Sequence, residues 1–552
     1  MAGISPISNA EFLHMMQRCL PPKGWSSKFA VAHSGGADST CLLFLLRRLA
    51  REFQRDDGPK LSFTSFHVNH ELQPASVAMA QSCAQTAREL GVGHRELRIP
   101  WGTPPYPPRP GAGDAVEATA RSARYHILFQ AMKSACIGAI AFGHHADDQV
   151  ETALMRLAKG SKEFGLAGMR PIRRWGMGFG QDKDALGWAG YEGMRHYIVR
   201  PLLDVSKDRI LATCEENKLH YVEDPSNFQP ELTSRNAIRQ VLESPEVAVL
   251  SPEGESPPKN IVMAQKAVDD LVKMSESLLP FGDDRRDQLR DVVRLYRNSL
   301  DLAESTATSV IRSIRVASPP ATFLLAHKRA TVPDDEKVRS AIVLRILRYI
   351  SSEPWGSAAS QCHRRSSSIL SIAQRIWDTD TPFARRLAFT AGAQVQWTPV
   401  RICQSGKLKF GAPREGDRVG WIASRMPAEA RKAAAVYLDI TDALRAKLKY
   451  RKDGHGPGPV LRMLYDNRFF LTFHLDRIDP WTAGALLEGE GRVKIVPDTR
   501  WSWPRIVWER DDDREVVLGG VVAPEMQWRN AARSRKSSDW IDVHFVRTLD
   551  DI

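Results

Sequence analysis

Two short polar clusters carry the residue types that chemistry needs. The first, Ser34-Gly35-Gly36-Ala37-Asp38-Ser39, sits between an apolar run at 28–32 and a leucine-rich stretch that begins at Cys41. A turn entering a helix aims several backbone N–H groups at one anion, and the helix dipole adds to the attraction. Gly35 and Gly36 let the backbone approach a phosphate and take positive φ, while Ser34, Ser39 and Thr40 supply hydroxyl donors. The turn lacks the lysine of a GxxxxGK(S/T) loop, so it is not the ordinary nucleoside-triphosphate loop. Asp38 suits a phosphate site only if a cation such as magnesium lies between the two negative groups. The structural alternative is a tight turn in which Asp38 caps the helix.

The second cluster runs from Gly143 through His144, His145, Asp147, Asp148 and Glu151 to Thr152. Asp148 and Glu151 are three apart on an expected helix and share a face, so together they can hold a cationic substrate. Neighbouring side chains point in different directions, which argues against a transition-metal site built from the two histidines.

The elements that must position these clusters alternate. Strands are expected at 28–32, 61–68, 94–99 and 137–143, and helices from 41, at 75–90, 115–135 and 147–160. That alternation predicts an α/β fold with a doubly wound parallel sheet, whose ligands gather beyond the carboxyl ends of the strands. Residues 101–114 and 173–196 read as loops or insertions, and the Ser/Pro/Gly-rich stretch 251–260 as a domain boundary. A helical region is expected over 261–385, and a small α+β domain over 390–552, where 468–475 and 515–523 are strand-like.

The 552 residues exceed what one core organises, so two or three domains are expected. Lys and Arg number 77 against 65 Asp and Glu, a formal charge of +12, which favours a polyanionic partner such as nucleic acid. The seven cysteines form no CxxC pair and read as reduced thiols. No apolar run is long enough to span a bilayer and no secretory signal stands out, so a soluble, intracellular protein without a membrane partner is expected. The compartment would be mitochondrial in a eukaryote and cytoplasmic otherwise; the oligomeric state is not legible.

The first cluster resembles the SGGxDS pyrophosphate loop of the N-type ATP pyrophosphatases, or PP-loop superfamily. The second is similar to the HHxDDQxET motif of its tRNA(Ile)-lysidine synthetase branch. Residues 67–76, 117–128, 156–169, 200–210 and 223–239 fit the same branch in order, with departures at Gln73, Lys159 and Lys162. Beyond 250 the likeness is faint and rests on 412–418. It implies an adenine-nucleotide alpha-hydrolase-like sheet, with a catalytic domain at 1–250, a helical substrate-binding or linker domain at 261–385 and a tRNA-binding domain at 390–552.

The resemblance further implies a ligase that adenylates the wobble cytidine of a CAU-anticodon tRNA(Ile) and joins free L-lysine to it, releasing pyrophosphate and AMP. Ser34, Gly35, Gly36, Ala37, Asp38, Ser39, Arg124 and His144 would bind ATP, with Asp38 also serving Mg2+. Asp148 and Glu151 would bind lysine, and with Asp38 form the catalytic set. Arg235, Asn236 and Arg239 would contact the tRNA. The thirteen Lys or Arg against six Asp or Glu in 401–456 suit the phosphates of an acceptor arm, or a solvated basic face. The rival readings are a tRNA 2-thiolation enzyme of the same superfamily and a catalytically inactive tRNA-binding protein on this scaffold.

Overall fold

The computed structural model describes residues 4–55, 61–111, 116–161, 163–178, 189–222, 234–243, 258–276, 278, 284–326, 332–357, 360, 365–378, 380–392, 394–405, 407–427, 436–452, 459–511, 514–521 and 539–552. Lys162, residues 223–233 of the motif stretch 223–239, residues 179–188 of the loop 173–196 and residues 251–257 of the expected boundary lie outside them. The chain packs as two units, Met1–Leu302 with Ile552, and Ala303–Asp551.

The first unit begins with helix α1 (Asn9–Gln17), started by a capping box between Ser8 and Glu11. There follow β1 (Lys28–Ala32), α2 (Ala37–Arg55), β2 (Ser62–Asn69), α3 (Ser76–Glu89), β3 (Gly93–Arg98), α4 (Val116–Ser134), β4 (Ala139–Ala141), α5 (Ala146–Ala158), α6 (Glu163–Leu166), β5 (Ile172–Arg174), β6 (Tyr197–Val199) and α7 (Lys207–Glu216). Its six strands lie in the order β3-β2-β1-β4-β6-β5, parallel except for β5, which runs antiparallel to β6. The order reverses between β1 and β4, and a crevice opens at such a reversal. Side chains alternate strictly across the sheet. Phe29, Val31, Ala139, Ala141, Tyr197 and Val199 join α1, α2 and α7 in one core. Ala30, Ile140 and Ile198 join α4 in another, so helices cover both faces.

Helices α8 (Ser234–Glu243), α9 (Lys259–Glu276) and α10 (Arg285–Ile314) follow. Ala237, Ile238 and Val241 of α8 are buried against Val150, Ala153 and Leu154 of α5 and Val268 and Leu271 of α9. That apolar stripe, recurring three and four apart, orients α8 so that Arg235 and Arg239 share a face reaching α5.

The second unit is α+β. Strands β7 (Arg315–Val316) and β8 (Phe323–Ala326), helices α11 (Glu336–Ile350) and α12 (Ser366–Trp377), and strands β9 (Phe389–Thr390), β10 (Val395–Ile402), β11 (Leu408–Lys409) and β12 (Arg418–Arg425) build a sheet ordered β11-β10-β12-β8-β7, with β9 on β10. β8 interrupts the region expected to be helical. Its four residues are all buried, and so short an apolar run carries no period by which to tell strand from helix. The chain continues through β13 (Leu438–Asp439), α13 (Thr441–Lys452), β14 (Val460–Tyr465), β15 (Phe469–His474), α14 (Pro480–Glu488), β16 (Arg492–Asp498), β17 (Trp503–Glu509), β18 (Glu515–Gly520) and β19 (Ile541–Phe545). These strands form one sheet ordered β13-β16-β17-β18 and another ordered β14-β15-β19. Among the described residues no helix is long and apolar enough to cross a membrane.

Candidate active site

The glycine turn leaves the carboxyl end of β1, next to the point where the strand order reverses. Gly35 takes φ +91°, and a Cβ there would meet Cys83 Sγ at 3.1 Å, so both conformation and space call for glycine. Hydroxyls stitch the turn: Ser34 N–H donates to Ser39 Oγ at 3.1 Å, and Ser39 Oγ donates to the Gly36 carbonyl at 3.1 Å. Helix α2 starts at Ala37, four residues before the expected start, so Asp38 and Ser39 sit in its first turn. There the unpaired N–H groups and the positive end of the dipole are concentrated.

The second cluster opens α5 directly after β4. Gly143 is where the two clusters meet, because a Cβ on it would lie 2.8 Å from the Asp38 carbonyl carbon and oxygen. His145 takes the N-cap position, its Nδ1 accepting from Asp147 N–H at 3.3 Å, while Asp148 Oδ2 accepts from His145 N–H at 3.0 Å. His145 Nε2 lies 3.7 Å from Asp38 Oδ1 and 3.5 Å from Asp148 Oδ2. Burial opposes the charged imidazole, but Asp147, Asp148 and Asp38 together raise its pKa above the ordinary value. Burial likewise works to raise the pKa of Asp148, yet His145 and Arg235 outweigh it and hold the group down at about 2.

Asp148 and Glu151 share one face of α5, and both are already paired. Arg235 reaches both carboxylates, and Arg239 Nε donates to Glu151 Oε1 at 2.5 Å. Two carboxylates against two guanidiniums leave this group of four neutral. The residues expected to hold lysine and two of those expected to hold tRNA therefore touch each other. Asn236 lies half-buried on the same helix.

Asp38 is also partnered. Lys207 Nζ, at the start of α7, donates to its Oδ1 at 2.5 Å. Lys207 N–H donates to Asp147 Oδ2 at 3.0 Å, and Arg290 on α10 donates to Asp147 Oδ1 at 3.0 Å through Nε. The sequence reading assigned no role to Lys207, His145, Asp147 or Arg290. For His145 the available signal was its position just before an acidic first turn with Asp148 at N3, although histidine is an unusual cap. For Lys207 no spacing rule could have served, because it stands 169 residues from Asp38.

Arg124 on α4 and His144 after β4 make no hydrogen bond to the glycine turn. Arg124 Nε and His144 Nδ1 are buried and without partners. Burial and the nearby Arg200 push His144 well below its ordinary pKa, so it is a neutral ring, stacked on Phe142 at 5.7 Å. Orphaned buried polar atoms of this kind suit a polar ligand that completes their bonding.

The site fits magnesium in a limited sense. Among the described residues no group of three or more His, Cys, Asp or Glu could cage an ion. Mg2+ commonly takes one or two carboxylates and completes its shell with substrate phosphates and water, a role open to Asp38 beside the glycine turn.

Comparison with known proteins agrees with this geometry. The PP-loop domain family matches residues 7–245 of the chain. Over 227 residues the chain is 38% identical to a tRNA(Ile)-lysidine synthase of Alkalilimnicola ehrlichii, covering 41% of this chain and 43% of that protein. Over 262 residues it is 35% identical to a tRNA(Ile)-lysidine synthase of a Bradyrhizobium species, covering 48% and 62%. The match thus spans less than two thirds of either relative. A solved U34-tRNA thiolase from Methanococcus maripaludis aligns at 17% identity with a TM-score of 0.32, over 53% of this chain and 79% of that one.

Proposed function

We propose that this chain, which carries a PP-loop domain at 7–245, is an ATP-dependent tRNA(Ile)-lysidine synthase. The observation that supports the reading most is the meeting of the two clusters at Gly143. It sets a phosphate-binding turn beside paired carboxylates suited to an amine substrate. In the reaction, the ring carbonyl oxygen of the wobble cytidine attacks the α-phosphorus of ATP, an O–P bond forms, and pyrophosphate leaves. The ε-amine of lysine then attacks the activated ring carbon. The carbon–oxygen bond breaks, and AMP departs with that oxygen.

The turn at Ser34 to Ser39 would bind the leaving pyrophosphate through backbone N–H groups and hydroxyls, where preorganised donors stabilise developing charge. Mg2+, held by Asp38 together with ATP, would supply charge neutralisation at the phosphates. Arg124 and His144 would complete the nucleotide site. Asp148 and Glu151 would hold the lysine. The amine of lysine is protonated at neutral pH, its ordinary pKa being near 10.4, and needs a proton acceptor. Asp148, Glu151 or Asp38 would accept that proton. Arg235, Asn236 and Arg239 would meet the tRNA. By function the chain would divide into a catalytic part at 1–250, a helical part at 261–385 and a tRNA-binding part at 390–552, where Lys407, Lys409, Arg414 and Arg418 are exposed.

The test is incubation with ATP, magnesium, radiolabelled lysine and an unmodified CAU-anticodon tRNA(Ile), with Asp38→Asn alongside. Label that stays on the RNA through base treatment, and disappears with Asp38→Asn, is the expected result. Pyrophosphate release without label would transfer the reading to another nucleophile, such as the sulfur of a thiolation enzyme. A folded protein giving neither would be a binding protein.

A further inference from the structure

A second group of charges lies between α4 and the β4–β6 side of the sheet, outside the glycine turn and the paired carboxylates. Its centre is Tyr125, which is 4% exposed. The guanidinium carbons of Arg121, Arg124 and Arg173 stand 5.5, 6.0 and 5.9 Å from its ring centroid, and Arg200 hydrogen-bonds its side chain. Phe142 and Trp175 pack on the same ring at 5.7 and 5.5 Å.

Arg200 is 5% exposed, and among the described residues none of these four arginines is in an ion pair with Asp or Glu. Arg200 Nη1 donates to the Arg170 carbonyl at 3.1 Å and Arg173 Nη1 to the Arg174 carbonyl at 3.4 Å, but Arg200 Nε and Arg124 Nε are buried without a partner. Glu117 on α4 acts on Arg124 and Asp148 acts on His144, yet Asp148 is itself held by Arg235.

Four guanidiniums around one buried ring, none of them ion-paired with a carboxylate among the described residues, cost the free protein stability that an anion would restore. Arginine's planar fork matches phosphate oxygens, and aromatic faces fix its orientation. Their positive field leaves a mark on Tyr125: burial works to raise its pKa, but Arg173, Arg200, Arg121 and Arg124, which favour the phenolate, bring it down to about 8.

We propose that Arg121, Arg173 and Arg200, with Arg124, form an anion subsite that takes a phosphate group of a bound nucleotide or RNA. The phosphate comes either from ATP or from the RNA backbone beside the reacting base. If the turn at Ser34 to Ser39 serves the phosphate chain of ATP, Arg121, Arg173 and Arg200 are left for the RNA backbone. The inference rests on the proposed function only for which RNA is used, since its test reads binding and needs no turnover.

The experiment uses the full chain and the variants Arg173→Met, Arg173→Lys and Arg200→Met. ATP and a CAU-anticodon stem-loop RNA are titrated separately, the RNA over a range of salt. For an RNA phosphate, Arg173→Met weakens stem-loop binding about 10-fold and lowers the log–log salt slope by about one unit, ATP affinity is unchanged, and Arg173→Lys recovers part of the loss. For an ATP phosphate, the loss falls on ATP. Either outcome supports a phosphate subsite, and the saturating ligand raises the absorbance-detected pKa of Tyr125 in the native protein but not in Arg173→Met. Unchanged affinity for both ligands in folded Arg173→Met overturns the proposal. If Arg200→Met does not fold, the half-buried Arg173 still decides. Absence of lysidine synthesis by the native protein, with these binding effects intact, would count against the proposed function alone.

Discussion

Replacing Arg239 with glutamine tests whether the proposed substrate lysine must compete with the protein's own guanidiniums. Arg239 Nε lies 2.5 Å from Glu151 Oε1, and its side chain is 31% exposed while that of Glu151 is 6% exposed. Arg239→Gln leaves Glu151 with Arg235 as its one guanidinium partner, and the group of four falls from neutral to one negative charge. A unit charge about 4 Å from an ammonium is worth about 4 kcal/mol at an effective dielectric constant near 20. Desolvating the ammonium offsets more than half of that, so lysine binding should strengthen by roughly 1–2 kcal/mol, a factor of about 5–30. Global stability should fall by about 1–2 kcal/mol, well short of the 3–5 kcal/mol for breaking a fully buried pair, because Arg235 stays and Arg239 is partly solvated. The assay is equilibrium dialysis of labelled lysine against RNA-free protein with a non-hydrolysable ATP analogue, with thermal unfolding as the check on folding. Lysine affinity that is unchanged or weaker in a folded Arg239→Gln would refute the reasoning and make Arg239 a residue that props Glu151 in place.

Other perturbations act on contacts elsewhere in the molecule. Gly143→Ala sets a methyl 2.8 Å from the Asp38 backbone, so the glycine turn must shift; ATP affinity measured by titration should fall at least about 10-fold with helix content kept, and native affinity would contradict the close approach. Arg345→Ala leaves the 5% exposed Glu304 without the guanidinium 2.5 Å from its Oε2, and should cost the second unit about 3–5 kcal/mol by urea unfolding, whereas Arg345→Met with Glu304→Leu should cost less. His33 is buried between the Ser65 and Thr40 hydroxyls, and burial, then His67 and His94, bring its pKa down to about 3. The unfolded chain therefore binds the proton first: the contribution of His33 is complete above pH 6.5 and is lost on acidification from 6.5 toward 3, at about 1.4 kcal/mol per pH unit. His33→Asn should flatten the urea midpoint between pH 7 and pH 5, and a slope equal to that of the native protein would remove His33 as the source.

The local features were legible because local physics sets them. Glycines before a hydroxyl-rich helix start, two carboxylates three apart, and the change from apolar runs of five to periodic helices all act within a few residues. They placed β1, α3, α4 and α5 within one or two residues of where they lie, and put Asp148 and Glu151 on one face. The start of α2 escaped because Ala37, Asp38 and Ser39 read as turn residues, while the first helical turn accepts them through its unpaired N–H groups. The strand Phe323–Ala326 escaped because a four-residue apolar run becomes a strand only when β12 is there to pair with it.

What the sequence determined by itself was the chemistry available: a glycine-rich turn of the kind that suits a phosphate, a pair of carboxylates of the kind that suits an amine, and an alternation of elements that carries both to one edge of a parallel sheet. Only the tertiary structure decided which charges meet. Lys207 reaches Asp38 across 169 residues, Arg235 and Arg239 neutralise Asp148 and Glu151, and four arginines from α4, β5 and the end of β6 surround Tyr125. Electrostatic energy depends on distance and burial in space, and separation along the chain fixes neither.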